Sequence, residues 1–91
     1  MINVLHRDSS KKTKFVRDKG FIPAVIYGRQ LEKSIPIEIY KTDFKRFLEN
    51  NPSNRFVDLS LDGDVKKCLI TDVQIDGVRD CILHIDFRLV E

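Results

Sequence analysis

Lys11, Lys12, Lys14 and Arg17 fall within seven residues and form the densest group of chemically active side chains in this sequence. On a helical turn Lys14 and Arg17 lie three apart and share a face. Such a patch spans two phosphate groups, and the hydroxyls of Ser10 and Thr13 offer further hydrogen bonds to phosphate or sugar. Each phosphate neutralised in this way makes binding more salt-dependent. No succession of aromatic residues marks a platform for single strands. The modest cluster therefore suits a duplex or internal-loop target, held by shape as well as charge. A protein interface and a plain solvated basic surface are the competing readings.

Other chemistry finds little support. His6 and His84 are the only histidines, and the cysteines Cys68 and Cys81 stand thirteen apart. No zinc-ligand spacing results. His84 and Asp86 share a strand face, which acid–base catalysis would use, but no serine or cysteine nucleophile accompanies them in a recognisable motif. The four glycines are isolated, so there is neither a dinucleotide fingerprint nor a phosphate-binding loop. The expectation is a protein without catalytic residues, metal, cofactor or small-molecule substrate.

Size and charge narrow the class. Ninety-one residues, 42% hydrophobic and 33% charged, make one modest core, so residues 1–91 are read as a single domain. The net charge of +2 hides an asymmetry. Residues 1–29 hold seven basic and two acidic side chains, whereas residues 30–91 hold nine and twelve. An anionic partner would meet the N-terminal third first. Both cysteines sit in apolar runs and read as buried thiols. No signal peptide and no membrane-length apolar stretch is visible, which sets the expectation of a cytoplasmic protein with no membrane partner.

The elements that must position the basic cluster follow from periodicity. Residues 2–7 alternate as a first strand. Residues 8–19 form a basic loop with one or two helical turns from Thr13, stopping at Gly20. Phe21–Tyr27 is an apolar strand whose Pro23 belongs at its start or on an edge. Ile35, Ile37 and Ile39 alternate in the next. Phe44, Phe47 and Leu48 form one stripe of a helix capped by Thr42 or Asp43. Residues 56–61 and 65–70 pair across Asp62-Gly63 as a hairpin, and Asp76-Gly77 marks a further turn. In the last strand Cys81, Leu83, Ile85, Phe87 and Leu89 should face inward, with Ile82, His84, Asp86 and Arg88 outward. Phe21, Ile26, Phe44, Phe47, Phe56, Phe87 and Leu89 read as core. The expected fold is all-β with short helices: a six-stranded, closed or nearly closed β-barrel.

The stretch Gly20-Phe21-Ile22-Pro23-Ala24-Val25-Ile26-Tyr27-Gly28 resembles the signature of the bacterial large-subunit ribosomal protein twenty-five family, whose members bind 5S rRNA. A second likeness joins Asp72-Val73-Gln74 to His84-Ile85-Asp86-Phe87, matching the family's Asp-Val-Gln and His-X-Asp-Phe motifs in order and spacing. The likeness runs over essentially the whole chain. It implies a six-stranded barrel that binds the loop E region of 5S rRNA across a widened minor groove. It further implies a ribosome-associated component of the large subunit, monomeric when free and similar to the family's one-domain form. For RNA contact it points to Lys14, Arg17 and Arg7, with Ser10, Lys11, Lys12 and Thr13 positioning the backbone. Tyr27, Arg29, Gln74 and His84 would reach sugars or base edges.

Two departures from the family pattern stand out. Where the family has a small residue followed by Arg-Arg-X-Arg, this chain has Thr13, Lys14, Phe15 and Arg17, so Phe15 replaces an arginine. Lysine also lacks the arginine fork that grips two acceptors. Asp76-Gly77 replaces a common His-Pro, adding a negative charge near the expected RNA face. These departures favour one rival, a relative working away from the ribosome as a stress-associated protein- or RNA-interaction module.

Overall fold

The computed structural model describes residues 1–8, 12–79 and 81–90. Its elements are β1 (Ile2–His6), α1 (Thr13–Asp18), β2 (Phe21–Tyr27), β3 (Ile35–Tyr40), α2 (Lys41–Asn50), β4 (Phe56–Leu61), β5 (Asp64–Asp76) and β6 (Cys81–Leu89). The strands close into a barrel in the order β1-β3-β2-β6-β5-β4, which leaves no unpaired sheet edge. Four neighbouring pairs are antiparallel. Two seams are parallel: β1 with β4, where Ile2 faces Leu59, and β2 with β6, where Ala24 faces Ile85.

Alternate residues of each strand fill the interior. Ile22, Ala24 and Ile26 of β2, Ile37 and Ile39 of β3, and Ile85 and Phe87 of β6 all belong to one buried cluster. Helix α2 packs on β1 and β3 and drives Phe44 into this cluster. The Phe44 ring is fully buried and meets Phe87 edge-on, with centroids 6.5 Å apart. That geometry suits the aromatic quadrupole.

Several expectations change. Strand β5 runs on through Asp72-Val73-Gln74 to Asp76, where the sequence suggested an end near Ile70. The extension is possible because Thr71 bulges out of the ladder: Ile70 pairs with Phe87 and Asp72 with Asp86. A second irregularity follows in the same ladder. Gln74 pairs with His84 but Ile75 with Ile82, leaving Leu83 extra on β6. The bulge reverses the pleat, so Ile82 packs against the core in the place expected of Leu83. Helix α2 starts earlier than its polar residues implied. Tyr40 is its N-cap, without a side-chain cap, and Thr42 and Asp43 lie inside the first turn. Leu48 and Phe56 are exposed and do not belong to the core. The Asp62-Gly63 turn does form as expected, with φ of 54° and 79°, the left-handed pair that a tight hairpin requires.

Cys68 and Cys81 are both free thiols. Cys68 pairs with Leu89 at one end of β6 and Cys81 with Asp76 at the other. Cys68 is fully buried, and burial pushes its thiol up to about 11 from an ordinary 9.0. In the native protein an alkylating reagent should therefore modify Cys81 well before Cys68, as peptide mapping of a timed reaction would check. Equal rates would contradict the packing described. Folding favours the neutral Cys68 thiol, so its contribution to stability is complete below pH 9.0 and is lost as pH rises through about 11.

Candidate nucleic-acid interface

Helix α1 has six residues, too few to persist alone. It is held by packing on β2. Val16 is buried, and so is Pro23 of β2, which lies between the inward-facing Ile22 and Ala24 and so turns outward. Gly20, at φ 89°, ends the helix, and its N–H donates to the Arg17 carbonyl at 3.0 Å. With Val16 anchored, Lys12 and Lys14 stand exposed and Arg17 half-buried. Arg17 occupies the last turn, where a cation complements the helix dipole. Phe15 is exposed and has Lys19 Nζ 4.4 Å above its ring, so the arginine-to-phenylalanine departure keeps a cation nearby through Lys19. Ser10 and Lys11 lie outside the described residues, as does the Thr13 side chain.

The barrel beside α1 brings most of the other expected contacts to the outer surface of β2, β6 and β5. Gln74 and His84 face each other across the β5–β6 ladder. Tyr27 pairs with Arg88 at the end of β2. Arg7 leaves β1 with its N–H on the Pro36 carbonyl, 3.1 Å away, and Pro36 pairs with Val25, which pairs with Asp86. Arg7 thus stands level with Asp86 along the barrel, but three strands round from β6. Its Nε is buried without a hydrogen-bond partner among the described residues. Arg29 is exposed in the turn after Gly28, beyond the end of β2.

A polar network that sequence reading missed joins these strands. The Tyr27 hydroxyl donates to Thr71 Oγ1 at 3.0 Å, and Thr71 Oγ1 donates to the Asp86 carbonyl at 3.2 Å. His84 Nδ1 lies 3.2 Å from the Asp86 carboxylate. Thr71 precedes the Asp-Val-Gln motif directly, and Asp86 belongs to the His-X-Asp-Phe motif. Their places beside these motifs were the available signal.

The charge is divided across this surface. Cations gather on α1 above β2, while Asp72 and Asp86 oppose each other across β5 and β6. Phosphates are favoured over α1 and disfavoured over the two carboxylates. Beside those carboxylates, donors such as amino groups or ribose hydroxyls fit better. Asp76 has a separate task. Its Oδ1 accepts from the N–H groups of Val78 and Arg79, at 3.0 and 3.3 Å, and so shapes the β5–β6 tip. Asp76→Ala should loosen the tip by about 1 kcal/mol. Faster amide exchange confined to Val78, Arg79 and their neighbours would show it, and unchanged exchange would rule it out.

Among the described residues no cluster of His, Cys, Asp or Glu is arranged to hold a metal ion, and no helix is long and apolar enough to cross a membrane. A family model, the Ribosomal L25p family, matches residues 2–87. The large ribosomal subunit protein bL25 of Lysinibacillus sphaericus is 33% identical over 92 positions, covering 99% of this chain and 46% of that protein. The bL25 protein of Bacillus licheniformis is 34% identical over 77 residues, covering 84% of this chain and 36% of its own length. That of Thermoanaerobacter sp. is 29% identical over 90 residues, covering 98% and 45%. The chain therefore spans less than half the length of these relatives.

Proposed function

The chain belongs to the Ribosomal L25p family, and from that premise we propose that it is a structural, non-catalytic component of the large ribosomal subunit that binds the loop E region of 5S rRNA. The reading rests chiefly on one observation: basic α1 sits on β2 beside the surface that carries Tyr27, Gln74 and His84. In this reading Lys14 and Arg17, with Arg7 and Lys12, engage phosphates. Ser10, Lys11 and Thr13 position the RNA backbone, and Tyr27 and Arg29 reach toward sugars or base edges. Gln74 and His84 meet sugars and base edges in the minor groove, where an RNA helix displays them. A monomer in the cytoplasm, working as one domain, completes the proposal.

The test is a salt titration of the chain against 5S rRNA and against a transcript whose loop E is replaced by a regular helix. Binding that weakens steadily with salt and strongly prefers the natural transcript supports the proposal. Absence of binding at low salt by the folded protein, or equal affinity for both transcripts, overturns it. The rival interaction module away from the ribosome drew on Phe15 and Asp76. The second argument weakens once the Asp76 carboxylate is engaged in shaping the hairpin tip.

A further inference from the structure

We propose that Thr71 is a positioning residue for the RNA-facing surface, acting through Tyr27; the inference rests on the RNA-binding reading above. Thr71 is the extra residue of the β5 bulge, between Ile70, which faces Phe87, and Asp72, which faces Asp86. A regular ladder would have given this residue a partner on β6 and a fixed side. The bulge releases it and aims its hydroxyl back over β6. There it accepts from the Tyr27 hydroxyl and donates to the Asp86 carbonyl.

The register shows what this achieves. Tyr27 is on β2 and Thr71 on β5, with β6 between them. The tyrosine must lean across β6 for its hydroxyl to reach Thr71. A side chain standing straight out from β2 would be free to swing about χ1, and ordering it on binding RNA would cost entropy. The Thr71 hydroxyl fixes the tip of the ring beforehand. Its second hydrogen bond, to the Asp86 carbonyl, fixes the Thr71 rotamer in turn. Asp86 also carries the carboxylate beside His84 Nδ1. One bulged threonine thus ties together the strands that present Tyr27 and His84. Bulges commonly re-aim a side chain next to a functional surface.

The experiment uses Thr71→Val, which keeps the shape and removes the hydroxyl, Thr71→Ser, which keeps the hydroxyl, Tyr27→Phe, and the Thr71→Val/Tyr27→Phe double variant. Losing one preformed hydrogen bond should weaken binding to 5S rRNA about 3- to 10-fold in Thr71→Val. Thr71→Ser should stay within about twofold of the unmodified chain, and the double variant should bind no more weakly than Tyr27→Phe alone. Weakening in Thr71→Ser equal to that in Thr71→Val, or additive effects in the double variant, would overturn the assignment. A second readout needs no RNA. In the unmodified chain NMR couplings should show one Tyr27 χ1 rotamer, and in Thr71→Val rotamer averaging. A Tyr27 ring equally ordered in Thr71→Val refutes the positioning role. Failure of the unmodified chain to bind 5S rRNA refutes only the functional reading.

Discussion

Replacing Phe44 by alanine is expected to lower the unfolding free energy by about 3–5 kcal/mol, the usual cost of emptying a buried phenylalanine site. Phe44 is fully buried and closes the barrel at the α2 end against Phe87. Domains commonly have only about 5–15 kcal/mol in total, so the variant should lose a large share of its stability. Leu48, one turn further along α2, is exposed. Leu48→Ala should therefore change stability by less than about 0.5 kcal/mol. Urea denaturation followed by circular dichroism separates the two, since both variants keep similar helix propensity. If Phe44→Ala cost no more than Leu48→Ala, α2 would be a peripheral ornament and the barrel end would need another explanation.

The second large effect concerns the basic helix. Removing Lys14 and Arg17 together should weaken binding to 5S rRNA roughly 100-fold at moderate salt, taking about 1.5 kcal/mol for each charged group. The log–log dependence on salt should also become shallower by about one unit for each phosphate no longer neutralised. The control is Lys45→Ala/Arg46→Ala on α2. These two side chains are exposed and remove the same net charge, but from a helix that packs on β1 and β3. It should retain nearly full affinity with an unchanged slope. Equal weakening from both pairs would mean that diffuse attraction, and not the α1 surface, governs binding.

Much of this arrangement was legible in the sequence, for physical reasons that vary by element. The isoleucines of β3 alternate cleanly, and a half-buried strand leaves little choice. The end of α1 at Gly20 and the turn at Asp62-Gly63 followed from backbone conformations that glycine adopts readily. The alternation failed in the β5–β6 hairpin. A bulge costs one residue of register and reverses every side chain beyond it. Hence Ile82 faces the core and Leu83 does not belong to its cluster. Nothing in the composition of residues 70–72 announces that the ladder breaks there. Phe56 misled for a different reason. A phenylalanine at a strand start is ordinarily core, but here it faces outward, with Lys67 Nζ 5.8 Å over its ring. The candidate RNA-facing residues were named from types and motifs. The hydrogen bonds that orient them depend on strands distant in sequence, which no local pattern reveals.

The two parallel seams set a timetable for synthesis. Neither can be made by a hairpin, because Ala24 and Ile85 are 61 positions apart in one seam and Ile2 and Leu59 are 57 apart in the other. At a translation rate of about 5–20 residues per second, the free edge of β2 waits roughly 3–12 s for its partner to be made. Until then the nascent chain holds an unsealed sheet margin, open to pairing with other chains. Of the six barrel strands the one that seals β2 is thus made last, and a chain halted before Ile85 should be prone to aggregate rather than merely incomplete.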